Sequence, residues 1–241
     1  MSNSNSNSNP NDNNNYVFAP PATVSVGVVG ESARYPVRRI YCVGRNYAEH
    51  TREMGHDPDR ELPFFFQKNP DNLVLNNQDF PYPTMTSNLH HEIELVVAMG
   101  SGGRDISAAD ALTHVYGYAL GIDMTRRDLQ NEAKKTGRPW EIGKAFEHSA
   151  PMSDITPATQ SGHLSAGAIW LKVNGEVRQQ SDLTQLIWNI PQIIAHLSAI
   201  FELRAGDLIM TGTPAGVGAV KPGDVMEGYC EGVGSITTKV V

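Results

Sequence analysis

The chain has 241 residues, and its 19 Lys and Arg against 26 Asp and Glu give a net charge of −7. This acidic balance argues against a nucleic-acid-binding protein, which usually carries a basic stripe. The two cysteines are too few for a disulfide framework. No apolar run approaches the roughly 20 residues of a membrane helix. We therefore expect a soluble, cytoplasmic protein with neither nucleic-acid nor membrane partners.

The first 15 residues are almost entirely Ser and Asn. Such a segment cannot bury enough apolar surface to offset the entropy lost on ordering, so a disordered tail is predicted over residues 1–15. A chain of this length allows one domain or at most two small ones. We expect residues 16–241 to form a single domain.

The next part of the chain is rich in Gly, Pro and short β-branched runs, which favour strands joined by turns. Ser107 followed by Asp110 is typical of a helix start, because the two side chains can cap the first turn. Strands are predicted at 24–29, 40–43, 64–67, 92–99 and 115–122, and a short helix at 46–54.

The C-terminal part begins with a clear hairpin signal, since Asn174-Gly175 separates two β-branched runs at 169–173 and 176–178. Pro191 is expected in the first turn of a helix whose apolar residues recur at helical spacing. Further strands are predicted at 208–211, after the turn at 221–224, and at 234–241. Many short strands, few helices and no fixed repeat predict a β-rich mixed fold, closed or rolled rather than doubly wound.

Two carboxylates lie two residues apart at Glu92 and Glu94, within a predicted strand, and therefore face the same way. One interpretation is the solvated face of an amphipathic strand. However, the apolar run at 96–99 indicates a strand buried on both sides. An unpaired carboxylate pair is costly there, and a bound cation would neutralise its repulsion.

Asp123 ends the next apolar strand, where it could cap a helix or act as a third carboxylate. Three carboxylates with water suit an octahedral Mg²⁺ or Mn²⁺ ion. His90 and His91 are alternative ligands, although a set of oxygen ligands favours the hard ions.

His50 and Glu53 share one face of the predicted helix at 46–54. A carboxylate beside an imidazole fixes its tautomer and raises its basicity, as a general base requires. The alternative is a surface ion pair on a charged helix. The turn-rich stretch at 55–59 would let this segment move as a lid.

Two further features have weaker signals. The glycines of 211–218 allow backbone N–H groups to approach an anion, although a plain tight turn explains them better. Lys144 lies in an apolar stretch, and buried lysines are rare unless paired.

Taken together and in this order, these segments resemble the fumarylacetoacetate hydrolase family, over about 200 residues of the chain. The match is most similar to the acylpyruvate-cleaving branch, and the string at 55–61 with Phe64–Phe66 resembles its fumarylpyruvate-cleaving members. The matching segments are 41–47 with His50 and Glu53, 90–95, 121–125, Lys144, 208–214 and 216–218.

The resemblance implies a β-roll with a few helices and a lid helix, a homodimer, and one Mg²⁺ or Mn²⁺ per chain. It assigns the metal to Glu92, Glu94 and Asp123, and water activation to His50 with Glu53. Lys144 is implied as a further catalytic residue. The implied substrate-binding residues are Arg45, Lys68, Arg127, Gln130 and Thr213. One departure is Lys68-Asn69-Pro70, where many relatives have Lys-Pro, so the loop geometry there is open.

The implied activity is metal-dependent hydrolysis of a C–C bond in a 2,4-dioxo acid, with fumarylpyruvate giving fumarate and pyruvate in gentisate breakdown. Decarboxylation of oxaloacetate and isomerisation of a 2-hydroxymuconate-type diacid stay open on the same scaffold. A non-catalytic metal-binding protein and a sugar-acid dehydratase are further alternatives, against which the pair formed by His50 and Glu53 argues.

We expect the substrate to carry a second carboxylate at its acyl end, because the metal and Lys144 account only for the pyruvate end that all acylpyruvates share. Arg45, Arg52 and Arg60 could bind that carboxylate, since guanidinium groups pair with carboxylates in a bidentate manner. The alternative is that these arginines are solvated or paired with neighbouring glutamates.

The predicted pair of His50 and Glu53 leads to a test. Replacing either residue by Ala should lower turnover by about 10²-fold or more, the usual scale for a positioned base. The double mutant should cost little beyond the worse single mutant, because the two residues act as a unit. Steady-state kinetics across pH would measure this. Additive losses, or a pH–rate profile unchanged in His50→Ala, would contradict it.

Overall fold

The computed structural model describes residues 16–48, 62–75 and 77–241. The predicted tail at 1–15, and His50 and Glu53 of the predicted lid helix, lie outside these ranges. The grouping of 16–241 into one domain stays a prediction. Among the described residues, no helix is both long and apolar enough to cross a membrane. The cytoplasmic location also stays a prediction.

Most secondary-structure elements in the described ranges are short strands. They are β1 Ser25–Gly27, β2 Arg34–Pro36, β3 Arg39–Gly44, β4 Phe64–Lys68, β5 Leu73–Val74, β6 Leu89–His91, β7 Ile93–Met99, β8 Val115–Ile122, β9 Thr125–Arg126, β10 Ala150–Pro151, β11 Thr156–Pro157, β12 Ala168–Val173, β13 Glu176–Asp182, β14 Asp207–Met210, β15 Gly218–Val220, β16 Val225–Cys230 and β17 Gly234–Lys239. The α-helices in the same ranges are α1 Arg127–Thr136, α2 Glu141–Lys144, α3 Ala158–Ser161 and α4 Ile190–Ile200. Short 3₁₀ helices lie at Pro70–Asn72, Ala111–His114 and Leu183–Gln185. This confirms the β-rich mixed fold with few helices.

The largest sheet has six strands in the order β11-β8-β7-β14-β3-β4. Strand β14 pairs in parallel with β3 and antiparallel with β7, so the sheet is mixed. A four-stranded antiparallel sheet has the order β13-β12-β16-β17, and a three-stranded sheet has the order β15-β6-β9. The remaining described pairs are β1 with β2 and β10 with β5.

Every residue of β7 is buried, because the strand lies between two apolar clusters. Ile93 and Leu95 face the cluster shared with the four-stranded sheet. Val96 and Ala98 face the second cluster, which contains residues of β1 and β3. The alternation thus leaves Glu94 on the second face, as its period of two requires.

The predicted elements agree with the structure where the prediction rests on a local sequence pattern. Strand β8 has the predicted bounds, and Asn174 and Gly175 both have positive φ, as a type I′ hairpin turn requires. Helix α4 begins at Ile190, with Pro191 in its first turn and the Asn189 side chain accepting a hydrogen bond from the Gln192 amide.

The helix start predicted at Ser107 and Asp110 is only partly right. The Asp110 amide does donate to the Ser107 hydroxyl at 3.2 Å. The turn leads into the 3₁₀ helix Ala111–His114, and the chain enters β8 at once. There is therefore no room for a longer helix at this point.

Candidate functional site

Three acidic side chains converge where β7 and β8 meet. Glu92 directly precedes β7, Glu94 lies on it, and Asp123 directly follows β8. The antiparallel register places Ile93 opposite Ile122, and the Asp123 amide donates to the Glu92 carbonyl at 2.8 Å. One carboxylate oxygen from each residue lies within 4.8 Å of the others. Strand pairing therefore brings together the three predicted metal ligands.

Glu94 is the carboxylate whose negative charge is least compensated by neighbouring groups. It is 2% exposed, and its Oε2 accepts a hydrogen bond of 2.9 Å from the Gly212 amide. Within the described ranges it has no lysine or arginine partner. Burial, followed by the nearby charges of Asp123 and Glu92, raises the pKa of Glu94 well above its usual value. A divalent cation bound here would offset this cost, so the donor set fits Mg²⁺ or Mn²⁺.

The histidines considered as alternative ligands are engaged elsewhere. His90 Nε2 lies 2.9 Å from Asn88 Oδ1, and His91 Nδ1 lies 3.0 Å from Gln179 Oε1. The metal-ligand cluster found among the described residues consists of carboxylates alone. Asp123 is also not a helix cap, because α1 begins four residues later.

Two buried lysines neutralise the other two carboxylates. Lys144 Nζ donates to Glu92 Oε2 at 2.9 Å and to Asp123 Oδ2 at 2.5 Å. Lys68 Nζ lies 2.9 Å from Asp123 Oδ1. Burial by itself lowers the pKa of Lys144, but Asp123 and Glu92 outweigh that effect and raise it above its usual value. Lys144 is therefore held as a charged ammonium group, and the structure shows it to be both buried and paired.

Both lysines lie at the end of a secondary-structure element, which sets the position of their side chains. Lys144 is the last residue of α2. This helix packs closely on α1 at Gly143, where an added Cβ would lie only 3.1 Å from Gln130 Cβ. Lys68 ends β4, and the 3₁₀ helix Pro70–Asn72 follows, where Asn72 Oδ1 accepts a hydrogen bond of 2.9 Å from the Asn69 amide.

Helix α1 contributes the side chains of Arg127 and Gln130. Arg127 forms a hydrogen-bonded ion pair with Glu92, and its Nη1 donates to Gln130 Oε1 at 2.6 Å. Both residues are buried. Their three-residue spacing places them on one face of the helix, toward the carboxylates.

The glycine-rich stretch at 211–218 supplies a backbone donor, as the sequence allowed. Gly212 has a φ of +101°, and a Cβ there would lie 2.7 Å from Asn46 Cβ, so only glycine fits. The anion that its amide contacts is Glu94 of the protein itself. Thr213 follows, and its hydroxyl accepts a hydrogen bond of 2.7 Å from Gln179 Nε2.

A cavity joins these groups. Lys68 is not part of its lining, but it forms an ion pair with Asp123, which is. A second cavity of about 590 Å³ adjoins it and shares the wall formed by Arg45, Phe66 and Trp140. The first cavity is lined by Val43, Gly44, Arg45, Phe66, Glu92, Glu94, Asp123, Arg127, Gln130, Lys134, Trp140, Lys144 and Thr213. The structure thus brings together the predicted site residues that it describes, whereas His50, Glu53, Arg52 and Arg60 fall outside the described ranges.

Gln179 is a polar residue of the site that the sequence did not reveal. It is fully buried, and its Oε1 accepts a hydrogen bond of 3.0 Å from the Ile93 amide. Its Nε2 donates to Thr213 Oγ1 and, at 2.9 Å, to the Pro214 carbonyl. A bulge at Arg178 directs it inward, since Leu171 pairs with Gln179 and the next residue, Lys172, pairs with Val177. No motif marks this position.

Comparison with known proteins agrees with this geometry. Residues 39–241 match the model of the fumarylacetoacetate hydrolase C-terminal domain. The chain belongs to the fumarylacetoacetate hydrolase family. The crystal structure of fumarylpyruvate hydrolase from Pseudomonas aeruginosa, in complex with Mn²⁺ and pyruvate, is 54% identical, with a TM-score of 0.93 over 94% of this chain and 99% of that one.

Two other family members show the range of activities among relatives. A fumarylpyruvate hydrolase of Ralstonia sp is 47% identical over 189 residues, which cover 78% of this chain and 98% of that protein. A mitochondrial oxaloacetate tautomerase of Homo sapiens is 44% identical over 203 residues, covering 84% and 91%. The predicted resemblance and fold class are confirmed.

Gln179 provides a test of how the site is held together. Gln179→Leu should lower the free energy of unfolding by roughly 2–5 kcal/mol, because it leaves the buried Ile93 amide and Thr213 hydroxyl without partners. Gln180→Leu is the matched control, since Gln180 is exposed and surface changes usually stay within about 0.5 kcal/mol. Urea unfolding measures both. Equal stability of the two variants would show that the Gln179 contacts contribute nothing.

Proposed function

We propose that this chain is a metal-dependent hydrolase that cleaves the C–C bond of a 2,4-dioxo acid, with fumarylpyruvate as its substrate. The observation that carries this proposal is the buried cluster of Glu92, Glu94 and Asp123 beside a charged Lys144. The similarity to fumarylpyruvate hydrolases, one of them solved with Mn²⁺ and pyruvate, supports it.

Glu92, Glu94 and Asp123 would hold one Mg²⁺ or Mn²⁺ ion per chain. When bound, such an ion supplies Lewis-acid polarisation of substrate oxygens. The Gly212 amide fixes the Glu94 carboxylate, and Lys68 fixes that of Asp123. These contacts pre-orient two of the ligands, which is how surrounding hydrogen bonds usually tune a metal site.

Lys144 would stabilise the negative charge that develops on the pyruvate half of the substrate. Its ammonium group is oriented by Thr125 Oγ1, which accepts a hydrogen bond of 2.7 Å from Nζ. Because this charge is fixed in a buried site before reaction, it needs no reorganisation during the chemical step. Arg127, Gln130, Thr213 and Arg45 would position the substrate at the cavity wall, and Lys68 would contribute through its ion pair with Asp123.

The water-activating role of His50 and Glu53 is proposed on the sequence alone. His50 would accept a proton from water, and the resulting hydroxide would add to the C4 carbonyl carbon. The C3–C4 bond then breaks, with its electron pair going to C3, which takes up a proton. The products are fumarate and pyruvate, so one water molecule is consumed and no oxidant or reductant is required.

A homodimer is part of the proposal and is supported by the family resemblance. Light scattering coupled to size-exclusion chromatography measures the mass directly. The expected mass is twice that of the 26.3 kDa chain.

The substrate assignment is tested by a panel of acids assayed for pyruvate release with Mg²⁺. Fumarylpyruvate should be cleaved with the highest kcat/KM, ahead of acetylpyruvate and oxaloacetate. Release of pyruvate from oxaloacetate alone would contradict hydrolysis and favour the decarboxylase. Decarboxylation is a second candidate activity, since an oxaloacetate decarboxylase of Dictyostelium discoideum is 40% identical over 191 residues.

The metal assignment is tested with Asp123→Asn. The variant should lose at least about 10²-fold in kcat/KM, since metal polarisation of this kind supplies several kcal/mol. Bound Mn²⁺, measured by elemental analysis after dialysis, should fall in parallel. Glu132→Gln is the control, because Glu132 is an exposed residue of the nearby α1. Full activity in excess chelator, with the metal shown to be absent, would contradict the assignment.

A further inference from the structure

One face of α1 runs outward from the carboxylates. Arg127, Gln130 and Lys134 follow one another at spacings of three and four residues, so they share this face. All three line the cavity that contains the acidic cluster. Lys134 lies seven residues beyond Arg127, which is about 10 Å along the helix axis at 1.5 Å per residue. It therefore stands at the end of the cavity remote from the metal ligands.

Lys134 is a partly buried cation among other cations. Its Nζ lies 5.1 Å from the ring centroid of Trp140. Within the described part of the chain it forms no ion pair with a carboxylate. Burial, and then the charges of Arg127 and Arg45, lower the pKa of Lys134 to about 8. The surroundings thus repel its positive charge, and an anion would relieve that repulsion.

The other charged groups of the cavity cannot supply this anion. Lys134 is one of four cationic side chains on the wall, against three carboxylates. Lys144 contacts Glu92 and Asp123, and Arg127 pairs with Glu92. Glu92 and Asp123 are therefore already paired with cations, and Glu94 is held by the Gly212 amide as the third proposed metal ligand. Lys134 has its positive charge available at the far end.

An aromatic wall lies beside Lys134. The Trp140 ring packs edge-on against Phe64 at a centroid distance of 5.1 Å and against Phe66 at 5.8 Å. The same three side chains line the adjoining cavity. Such a wall suits a flat, unsaturated carbon chain, and the ammonium group at its edge suits a carboxylate at the end of that chain.

We infer that Lys134 binds the carboxylate at the acyl end of the substrate and thereby sets a preference for dicarboxylic over neutral acylpyruvates. The inference rests on the proposed function and adds a specificity-determining residue to it. It also places the recognition of this carboxylate on α1, whereas the sequence pointed to the arginines near the lid.

The test compares two substrates in matched variants. Lys134→Met keeps the apolar stem and removes the charge, and Lys135→Met is the control on the exposed neighbouring residue. Lys134→Met should lower kcat/KM for fumarylpyruvate by about 10- to 100-fold, the scale of one charge-assisted hydrogen bond. Acetylpyruvate, which lacks the second carboxylate, should be cleaved with kcat/KM changed by less than about 3-fold. Lys135→Met should leave both substrates unchanged.

Two outcomes would overturn the inference. Equal losses for both substrates would make Lys134 a structural residue, and no loss for either would remove it from recognition. Lys134→Arg should restore most of the preference, because it restores a cation, and this rescue would not occur if only packing mattered.

A binding measurement separates this inference from the proposed function. Fumarate and crotonate share a flat carbon chain, but only fumarate carries a second carboxylate. Calorimetry with the Mn²⁺-loaded protein should show fumarate binding at least about tenfold more weakly to Lys134→Met than to wild type, with crotonate unaffected. If wild type cleaves neither acylpyruvate but this difference holds, the proposed function fails and the carboxylate site stands. If wild type binds the two acids equally, the inference fails whatever the activity.

Discussion

Repulsion between three buried carboxylates determines how the rest of the site is arranged. Glu92, Glu94 and Asp123 lie too close together and too far from water to be left without positive charge. Lys144 and Lys68 supply part of that charge, while Glu94 has only the backbone amide of Gly212. In the proposed function a divalent ion would complete the compensation. The segments that carry these donors are β4, α2 and the loop after β14, and they are therefore fixed relative to β7 and β8.

The parts of the site that the sequence predicted are those that depend on local spacing. Glu92 and Glu94 face the same way because the strand has a period of two, and β8 has its expected bounds because its apolar run is continuous. The hydrogen-bond partners of the site residues, by contrast, come from segments far apart in the sequence. Gln179 reaches Thr213 only because a bulge in a distant hairpin turns it inward, and no local pattern records that contact.

The relatives differ in activity, since they include fumarylpyruvate hydrolases, an oxaloacetate tautomerase and an oxaloacetate decarboxylase. In the proposed function the two ends of the cavity have different roles. The end near Lys144, which contacts Asp123, would bind the half of the substrate that all acylpyruvates share. The end formed by Trp140, Phe64 and Lys134 differs in chemistry, because it combines aromatic surface with an ammonium group. Variation at this second end would change the substrate and leave the metal chemistry intact.

In the proposed function, the three carboxylates together hold one divalent ion. A crystal of the protein grown with Mn²⁺ and measured at the manganese absorption edge tests it most directly. The account predicts one anomalous peak per chain, with oxygens of Glu92, Glu94 and Asp123 all at roughly 2.0–2.3 Å, the range for hard ions with oxygen ligands. A peak at His90 or His91, or no peak at the three carboxylates, would contradict it.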